Sequence, residues 1–136
     1  MIAVPEISYL DLDDILAIHD EVMERTSLSS APLRDQGLLE GAVMRPRNRA
    51  HYEDADLLTQ ACTLIIAISQ AQAFADGNKR TAMQSGLMFL DNNGLTFTGD
   101  PVLLAVLIEE SAEKPSQDEA ITELIHWIRP YVAPLS

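Results

Sequence analysis

One stretch decides the fold of this 136-residue chain, namely Asp56-Leu57-Leu58-Thr59-Gln60-Ala61-Cys62-Thr63-Leu64-Ile65-Ile66-Ala67-Ile68-Ser69-Gln70-Ala71. Its apolar side chains fall on almost every side of a helix of 3.6 residues per turn, so no polar face is left for solvent. A helix of this kind is buried on all sides. The other elements are therefore expected to pack around it.

The flanking segments have the spacing of amphipathic helices, with apolar residues every three to four positions. This pattern predicts helices over residues 11–26 and 79–92, one that starts at Asp100-Pro101, and a last one that follows Pro115. Ser116 with Glu119 forms a capping-box sequence at the start of that last helix. The single-domain prediction, covering residues 1–136, is an all-α compact bundle of about six helices around the central one.

The segment between the first and the central helix is predicted to be less regular. Asp35 is a candidate N-cap for a short helix that Pro46 ends, because proline has no backbone N–H to donate within a helix. Residues 46–55 are then expected to form a loop. Leu95-Thr96-Phe97 is expected to be briefly extended.

Composition limits the functions that the chain can have. It carries 21 acidic and 9 basic residues for a net charge of −12, and 47% of its residues are hydrophobic. The charge argues against nonspecific binding to nucleic acid or to an anionic membrane, and the hydrophobic content argues against a disordered tail. A single cysteine, Cys62, excludes an internal disulfide and a cysteine-based zinc site. With no signal peptide or long apolar run, a soluble cytoplasmic protein is expected.

The charges are unevenly distributed. Residues 36–80 hold five acidic and five basic side chains, whereas the segments on either side carry −6 each. The cations of this neutral third are Arg45, Arg47, Arg49, Lys79 and Arg80. Two interpretations stay open: surface cations that balance nearby acids, or a region suited to an anionic ligand.

The segment after the central helix carries the chemistry, and it reads Gln72-Ala73-Phe74-Ala75-Asp76-Gly77-Asn78-Lys79-Arg80-Thr81-Ala82. The free N–H groups at the start of the next helix favour an anion there. Lys79 and Arg80 lie in that first turn, which is the unfavourable end of the helix dipole for cations, and a bound phosphate would compensate for this. Asp76 is placed to hold a divalent cation on the phosphate oxygens. Asn78 is expected either to orient the loop or to donate to a phosphate.

An ordinary turn is the alternative for this segment, since Asp-Gly-Asn is also a common turn sequence and a helix start is often simply solvated. His19 lies on the apolar stripe of the first helix and is interpreted as a packed, half-buried histidine rather than a ligand. Cys62 is interpreted in the same way as a buried structural thiol.

Residues 72–82 resemble the signature loop of the Fic/Doc superfamily, His-x-Phe-x-Asp/Glu-Gly/Ala-Asn-Gly/Lys-Arg. The Asn-Lys-Arg-Thr-Ala form is similar to the Doc, or death-on-curing, branch, since the Fic branch has glycine in place of Lys79. Matching segments occur in the same order along nearly the whole chain: Tyr9-Leu10-Asp11, Arg34-Asp35-x-Gly37-Leu38-Leu39-Glu40, Arg45-Pro46, Phe89-Leu90 and Asn93-Gly94.

The resemblance implies the all-α Fido fold, with a short flap hairpin or extended segment around residues 45–52. It also implies a toxin that uses ATP and Mg²⁺ and is held in check by a cognate antitoxin. Fic enzymes transfer AMP to a protein hydroxyl, whereas the Doc branch transfers the terminal phosphate to elongation factor Tu. By this resemblance Asp76 is the Mg²⁺ ligand and a catalytic residue. The residues for the triphosphate are Gly77, Asn78, Lys79 and Arg80, the last two also catalytic.

One departure from the family pattern concerns the catalytic base. The family histidine should stand at position 72, where this chain has Gln72, and Gln70 replaces a basic residue often found two positions earlier. An amide accepts a hydrogen bond but cannot take up a proton at neutral pH. Of the other histidines, only His51 lies in the flap-like segment. We therefore expect impaired transfer, and the alternative is an inactive Fido protein that acts by binding an antitoxin, a target or a nucleotide.

Inhibition is expected to come from outside the chain. Fic proteins often carry an inhibitory helix with the sequence Ser/Thr-x-x-x-Glu-Gly/Asn. Glu40-Gly41 matches its end, but Gln36 stands where serine or threonine is needed. A separate antitoxin is therefore the expected inhibitor.

Overall fold

Six α-helices and one short strand pair make up the part of the chain that the structure describes, residues 6–26 and 32–135 of a computed structural model. The helices are α1 (Leu12–Arg25), α2 (Gln36–Glu53), α3 (Leu57–Ala71), α4 (Asn78–Asn92), α5 (Pro101–Ala112) and α6 (Gln117–Ile128). A 3-10 turn, Arg129–Tyr131, follows α6. Strand β1 (Leu95–Phe97) pairs antiparallel with β2 (Val132–Pro134).

Helix α3 is the centre of the bundle, as the sequence predicts. Eleven of its 15 residues are buried, and α2, α4, α5 and α6 all pack against it. Cys62 is fully buried and free, which raises the pKa of its thiol far above the ordinary value and makes it a structural rather than a reactive cysteine. The all-α bundle prediction is confirmed.

The helices begin where the sequence predicts because their caps are local. Asp11 caps α1 in a capping box with Asp14, with both hydrogen bonds 2.9 Å long. The side chains of Asp56 and Ser116 accept from backbone N–H groups at the starts of α3 and α6. Each such bond satisfies one of the N–H groups that a helix start leaves without an internal partner.

Helix α2 corrects the sequence prediction at Pro46. The helix runs through this proline to Glu53 and ends at Asp54, which has a left-handed backbone with φ 53°. An interior proline costs a helix about 3 kcal/mol, because a hydrogen bond is lost and the ring crowds the preceding turn. Here Ala42, Val43 and Pro46 are buried on the face that packs against α3, and this tertiary packing maintains the helix. The predicted loop is therefore wrong for residues 46–53, and Asp54 and Ala55 lie between α2 and α3.

The flap-like segment around residues 45–52 is consequently helical rather than extended. The extended pairing occurs elsewhere. Leu33 forms an isolated antiparallel bridge with Phe74, and β1 confirms the expected extension of Leu95-Thr96-Phe97. The pairing of β1 with Val132–Pro134 has no local sequence signal. Within the described residues, no helix has both the length and the apolarity needed to cross a membrane.

Close packing of α4 on α3 depends on Gly86. A Cβ at this position would lie 2.4 Å from both Cγ1 and Cδ1 of Ile65, a fully buried side chain. We expect Gly86→Ala to lower the free energy of unfolding by about 1–2 kcal/mol, because overpacking a core outweighs the gain in helix propensity. Urea unfolding measures this.

Gly41→Ala is the matched control. Gly41 lies in the interior of α2, and a Cβ there would meet nothing within 4 Å. This variant should be more stable by about 0.5–1 kcal/mol, because alanine has the higher helix propensity. Equal effects of the two substitutions would contradict the packing argument.

Candidate functional site

One cleft collects the site residues that the sequence predicts. It has a volume of about 380 Å³ and lies where α3 ends and α4 begins, next to α1. Its lining consists of Met23, Gln72, Ala75, Asp76, Gly77, Asn78, Lys79 and Arg80. We use the name signature loop from here on for residues 72–77, the part of the signature sequence that precedes α4.

The loop begins with an abrupt end to α3 at Gln72. This residue has a left-handed backbone, with φ 51°, and its side-chain Nε2 donates to the carbonyl of Ser69 over 2.8 Å. The guanidinium of Arg34 donates to the carbonyl of Gln72 over 3.1 Å. The amide of Gln72 is therefore turned back onto the last turn of its own helix.

A short extended segment before α2 holds the middle of the loop. The N–H of Arg34 donates to the carbonyl of Ala73 over 2.7 Å, and the N–H of Ala75 donates to the carbonyl of Pro32 over 3.1 Å. Main-chain hydrogen bonds of this kind fix the path of the loop irrespective of side-chain chemistry. This contact was not predicted from the sequence, since it joins segments about 40 residues apart and involves no motif.

Asn78 fixes the same stretch from the other side. Its Oδ1 accepts from the N–H of Phe74 over 3.1 Å, and its Nδ2 donates to the carbonyl of Phe74 over 2.9 Å. The residue is only 7% exposed. Its side chain thus orients the loop, which is the first of the two roles that the sequence left open. A direct contribution of Asn78 to a phosphate site stays a prediction.

His19 of α1 supports the end of the loop. Its ring stacks on Phe74, with centroids 3.7 Å apart and planes 7° from parallel, and its Nε2 lies 2.9 Å from the carbonyl oxygen of Asp76. His19 is packed, as interpreted from the sequence, but it is buried rather than half-buried, with 2% of its surface exposed. Its contact with the signature loop was not predicted, because the two segments are 57 residues apart.

The charged groups of the cleft lie at the start of α4. Gly77 is the N-cap and supplies no side-chain hydrogen bond to the helix, whereas Asp or Ser caps the other five α-helices. Asp76 is exposed, and its Oδ1 accepts from the N–H of Gly77 over 2.7 Å. Arg80 is exposed, and Lys79 Nζ lies 3.5 Å from Oε1 of Glu109 on α5.

These charged groups fit an anion that binds together with a metal ion. Among the described residues there is no group of three or more His, Cys, Asp or Glu side chains that could hold a metal ion. Mg²⁺ needs less from the protein, because it commonly uses one or two carboxylates together with substrate phosphates and water. The single carboxylate of Asp76, beside two cations and a helix start without a side-chain cap, fits that donor set.

The other cations of the neutral third lie outside this cleft. Arg45 donates to Gln117, and Arg49 pairs with Glu53 and Asp118 at 2.9 and 3.6 Å. Arg47 lies over the ring of Tyr9, 4.7 Å from its centroid. These three arginines thus contact neighbouring side chains of the protein. His51, on the exposed last turn of α2, does not line the cleft either.

Comparisons with known proteins identify the family of the chain. Residues 9–90 match the sequence model of the Fic/DOC family. The chain is 31% identical over 96 residues to "Protein kinase doc" of Escherichia phage P1, which covers 70% of this chain and 75% of that protein. It is 34% identical over 94 residues to "Toxin Doc" of Mycolicibacterium smegmatis, which covers 68% and 69%.

Gly77 lies in close contact with α1. Its φ is +82°, and a Cβ would lie 2.8 Å from Sδ of Met23 and 3.4 Å from the ring of His19. We expect Gly77→Ala to destabilise the protein by about 2–3 kcal/mol, which combines the left-handed backbone of alanine with the displacement of buried side chains. Thermal unfolding measures the loss.

Gly94→Ala isolates the contact from the backbone. Gly94 also has φ +82°, but a Cβ there would have nothing within 4 Å. This variant should lose about 1–2 kcal/mol from the backbone alone. A loss as large as that of Gly77→Ala would show that the contact with α1 is unimportant.

Proposed function

Because this chain belongs to the Fic/DOC family, we propose that it is a Doc-like toxin of a toxin–antitoxin pair, whose cleft binds ATP with Mg²⁺. The reaction is transfer of the terminal phosphate, or of AMP, to a hydroxyl group of a target protein. The relative named as a protein kinase favours phosphate as the transferred group. Turnover is limited by Gln72.

The observation that carries this proposal is the convergence of three features in one cleft. The start of α4 presents backbone N–H groups without a capping side chain, Lys79 and Arg80 supply positive charge, and Asp76 supplies a carboxylate. Helix N-termini and arginine both bind phosphate oxygens well, and lysine adds a point charge. Bound Mg·ATP would supply the phosphoryl group, and its cation would neutralise part of the negative charge on the phosphates. Catalysis of such transfers consists mostly of positioning and charge stabilisation.

Gln72 limits how the cleft can activate the target hydroxyl, which is the nucleophile of the proposed reaction. Its side chain is exposed at the cleft, where it could accept a hydrogen bond from a target hydroxyl, but its amide has no basicity at neutral pH. Losing a general base commonly lowers the rate by about 10²–10⁴, although phosphoryl transfer depends less on a base than other transfers do. Slow transfer onto a bound target follows.

The alternative is a Fido protein that acts by binding alone. The observation that favours it is the 2.8 Å hydrogen bond by which Gln72 caps α3, because this contact gives the residue a structural use that needs no chemistry. In that case the partners are an antitoxin, a target protein or the nucleotide itself. Both functions share the nucleotide cleft and differ in turnover.

The partners proposed are a cognate antitoxin and a translation factor such as elongation factor Tu. An antitoxin segment with positive charge would complement the two acidic flanks of the chain, each with a net charge of −6. Association of that kind should weaken as the salt concentration rises, because exposed charges are screened.

Nucleotide binding is tested by thermal unfolding with ATP and Mg²⁺. At a ligand concentration one hundred times Kd, binding stabilises the protein by about 2.7 kcal/mol. The double variant Lys79→Ala with Arg80→Ala should lose most of this gain. The control, Arg45→Ala with Arg49→Ala, removes the same charge outside the cleft and should keep the gain. A missing gain in the unaltered protein, or equal losses in both variants, would refute the nucleotide site.

Transfer is tested by restoring the histidine. Gln72→His should raise labelling of a bacterial lysate or of purified elongation factor Tu by about 10²–10⁴. Parallel reactions with label on the γ-phosphate and on the α-phosphate of ATP distinguish transfer of phosphate from transfer of AMP. Gln36→His, which adds a histidine on the exposed start of α2, is the control and should not raise labelling. If Gln72→His gains nothing while ATP still binds, the binding-only function stands.

A further inference from the structure

We propose that His19 is a positioning residue for Asp76, and that helix α1 thereby sets the affinity of the cleft for a divalent cation. The inference rests on the proposed function of the cleft. It adds a residue outside the signature loop that affects the affinity for the cation. It is carried by three contacts between α1 and the loop, each with a different physical basis.

The first contact is the hydrogen bond to Asp76. Nε2 of His19 lies 2.9 Å from the carbonyl oxygen of Asp76, so this nitrogen carries the proton and donates. Within the described residues, no other donor reaches that oxygen. The bond is made by a buried group, and it ties the peptide that follows the carboxylate-bearing Cα.

The second contact fixes the ring that donates. His19 stacks flat on Phe74 at 3.7 Å between centroids, and Phe74 is itself held by Asn78 through its N–H and its carbonyl. The donor therefore belongs to a rigid unit that spans α1, the loop and the start of α4. A group held in this way can position a backbone carbonyl within a narrow range.

The third contact is steric. Gly77 approaches α1 so closely that a Cβ would lie 3.4 Å from the His19 ring and 2.8 Å from Met23 Sδ. The other supports of the loop act on residues 72–75, through Arg34, Pro32 and Asn78. At Asp76 the support comes from His19 of α1, whereas the carbonyl of Gly77 also accepts from the N–H of Thr81 in α4 over 2.9 Å. The carboxylate of Asp76 accepts from the N–H of Gly77 over 2.7 Å, so its orientation depends on this backbone.

The consequence is specific to the cation. Lys79 and Arg80 extend from α4, whose helical hydrogen bonds do not involve His19, and their contribution to ATP binding should survive its loss. The contribution of Asp76 to Mg²⁺ binding, in contrast, should fall when His19 is lost. Loss of one such hydrogen bond corresponds to about a three- to tenfold change in affinity.

The test measures ATP affinity by calorimetry, with Mg²⁺ and again with EDTA, in variants of the full chain. His19→Phe keeps a stacking ring but has no donor. In this variant, the gain in ATP affinity that Mg²⁺ provides should be about three- to tenfold smaller, while the ATP affinity in EDTA stays unchanged. His19→Gln and His19→Met form a second pair of similar shape, in which only glutamine can donate. The glutamine variant should retain more of the gain than the methionine variant. This pair decides the matter if His19→Phe does not fold.

Two reference variants complete the comparison. Asp76→Asn should abolish the Mg²⁺-dependent gain. Tyr9→Phe removes a 2.7 Å hydrogen bond to Gln60 at a distance from the cleft and should leave both affinities unchanged.

Each remaining outcome counts against the proposal. Unchanged Mg²⁺ dependence in His19→Phe and His19→Met overturns the positioning role. Equal losses with Mg²⁺ and with EDTA show that His19 only maintains the fold, and they overturn it as well. If the unaltered protein binds no Mg·ATP, the proposed function fails, and this inference fails with it. Binding by the unaltered protein with unaffected variants refutes the inference alone.

Discussion

Burial of α3 on all sides is the constraint on which the rest of the structure depends. Because four other helices cover it, both ends of α3 have to emerge at defined places in the bundle. At its C-terminus the chain turns through Gln72 and returns along α3 as α4, in contact close enough to require Gly86 against Ile65. The cleft is the space left at this reversal. Its position therefore follows from core packing rather than from the chemistry of its own residues.

The cleft is built from backbone supports on three sides. The segment before α2 bonds to the main chain of residues 73 and 75, Asn78 holds Phe74 from the start of α4, and α1 closes the far end with His19. Charged side chains then extend from this frame with few partners. Under the proposed function, such an arrangement suits phosphoryl transfer, for which placement of charge matters more than covalent chemistry.

Local sequence signals account for much of this architecture. The caps at Asp11, Asp56 and Ser116 satisfy N–H groups within their own first turns, and the apolar pattern of α3 reflects its burial, so both could be read from short windows. The motif likewise brought Gln72, Asp76 and Lys79 together, since they are near neighbours in the chain.

The predictions that failed, or that were never made, concern contacts between distant segments. Pro46 indicates a helix end locally, but the packing of α2 on α3 overrides that preference. The His19 contact spans 57 residues, and the pairing of β2 with β1 joins the end of the chain to the segment after α4. Neither hydrophobic periodicity nor capping residues predict such contacts. Burial of a histidine can be predicted from its helix face, but its contact partner cannot.

The left-handed backbone of Gln72 has an evolutionary consequence. Histidine is among the non-glycine residues that occur most readily in this conformation, so the turn accepts either side chain without a change of path. Under the proposed function, a lineage could gain or lose a proton acceptor here by one exchange, with the surrounding loop left intact. An inactive copy of such a protein would differ from an active one by a single substitution.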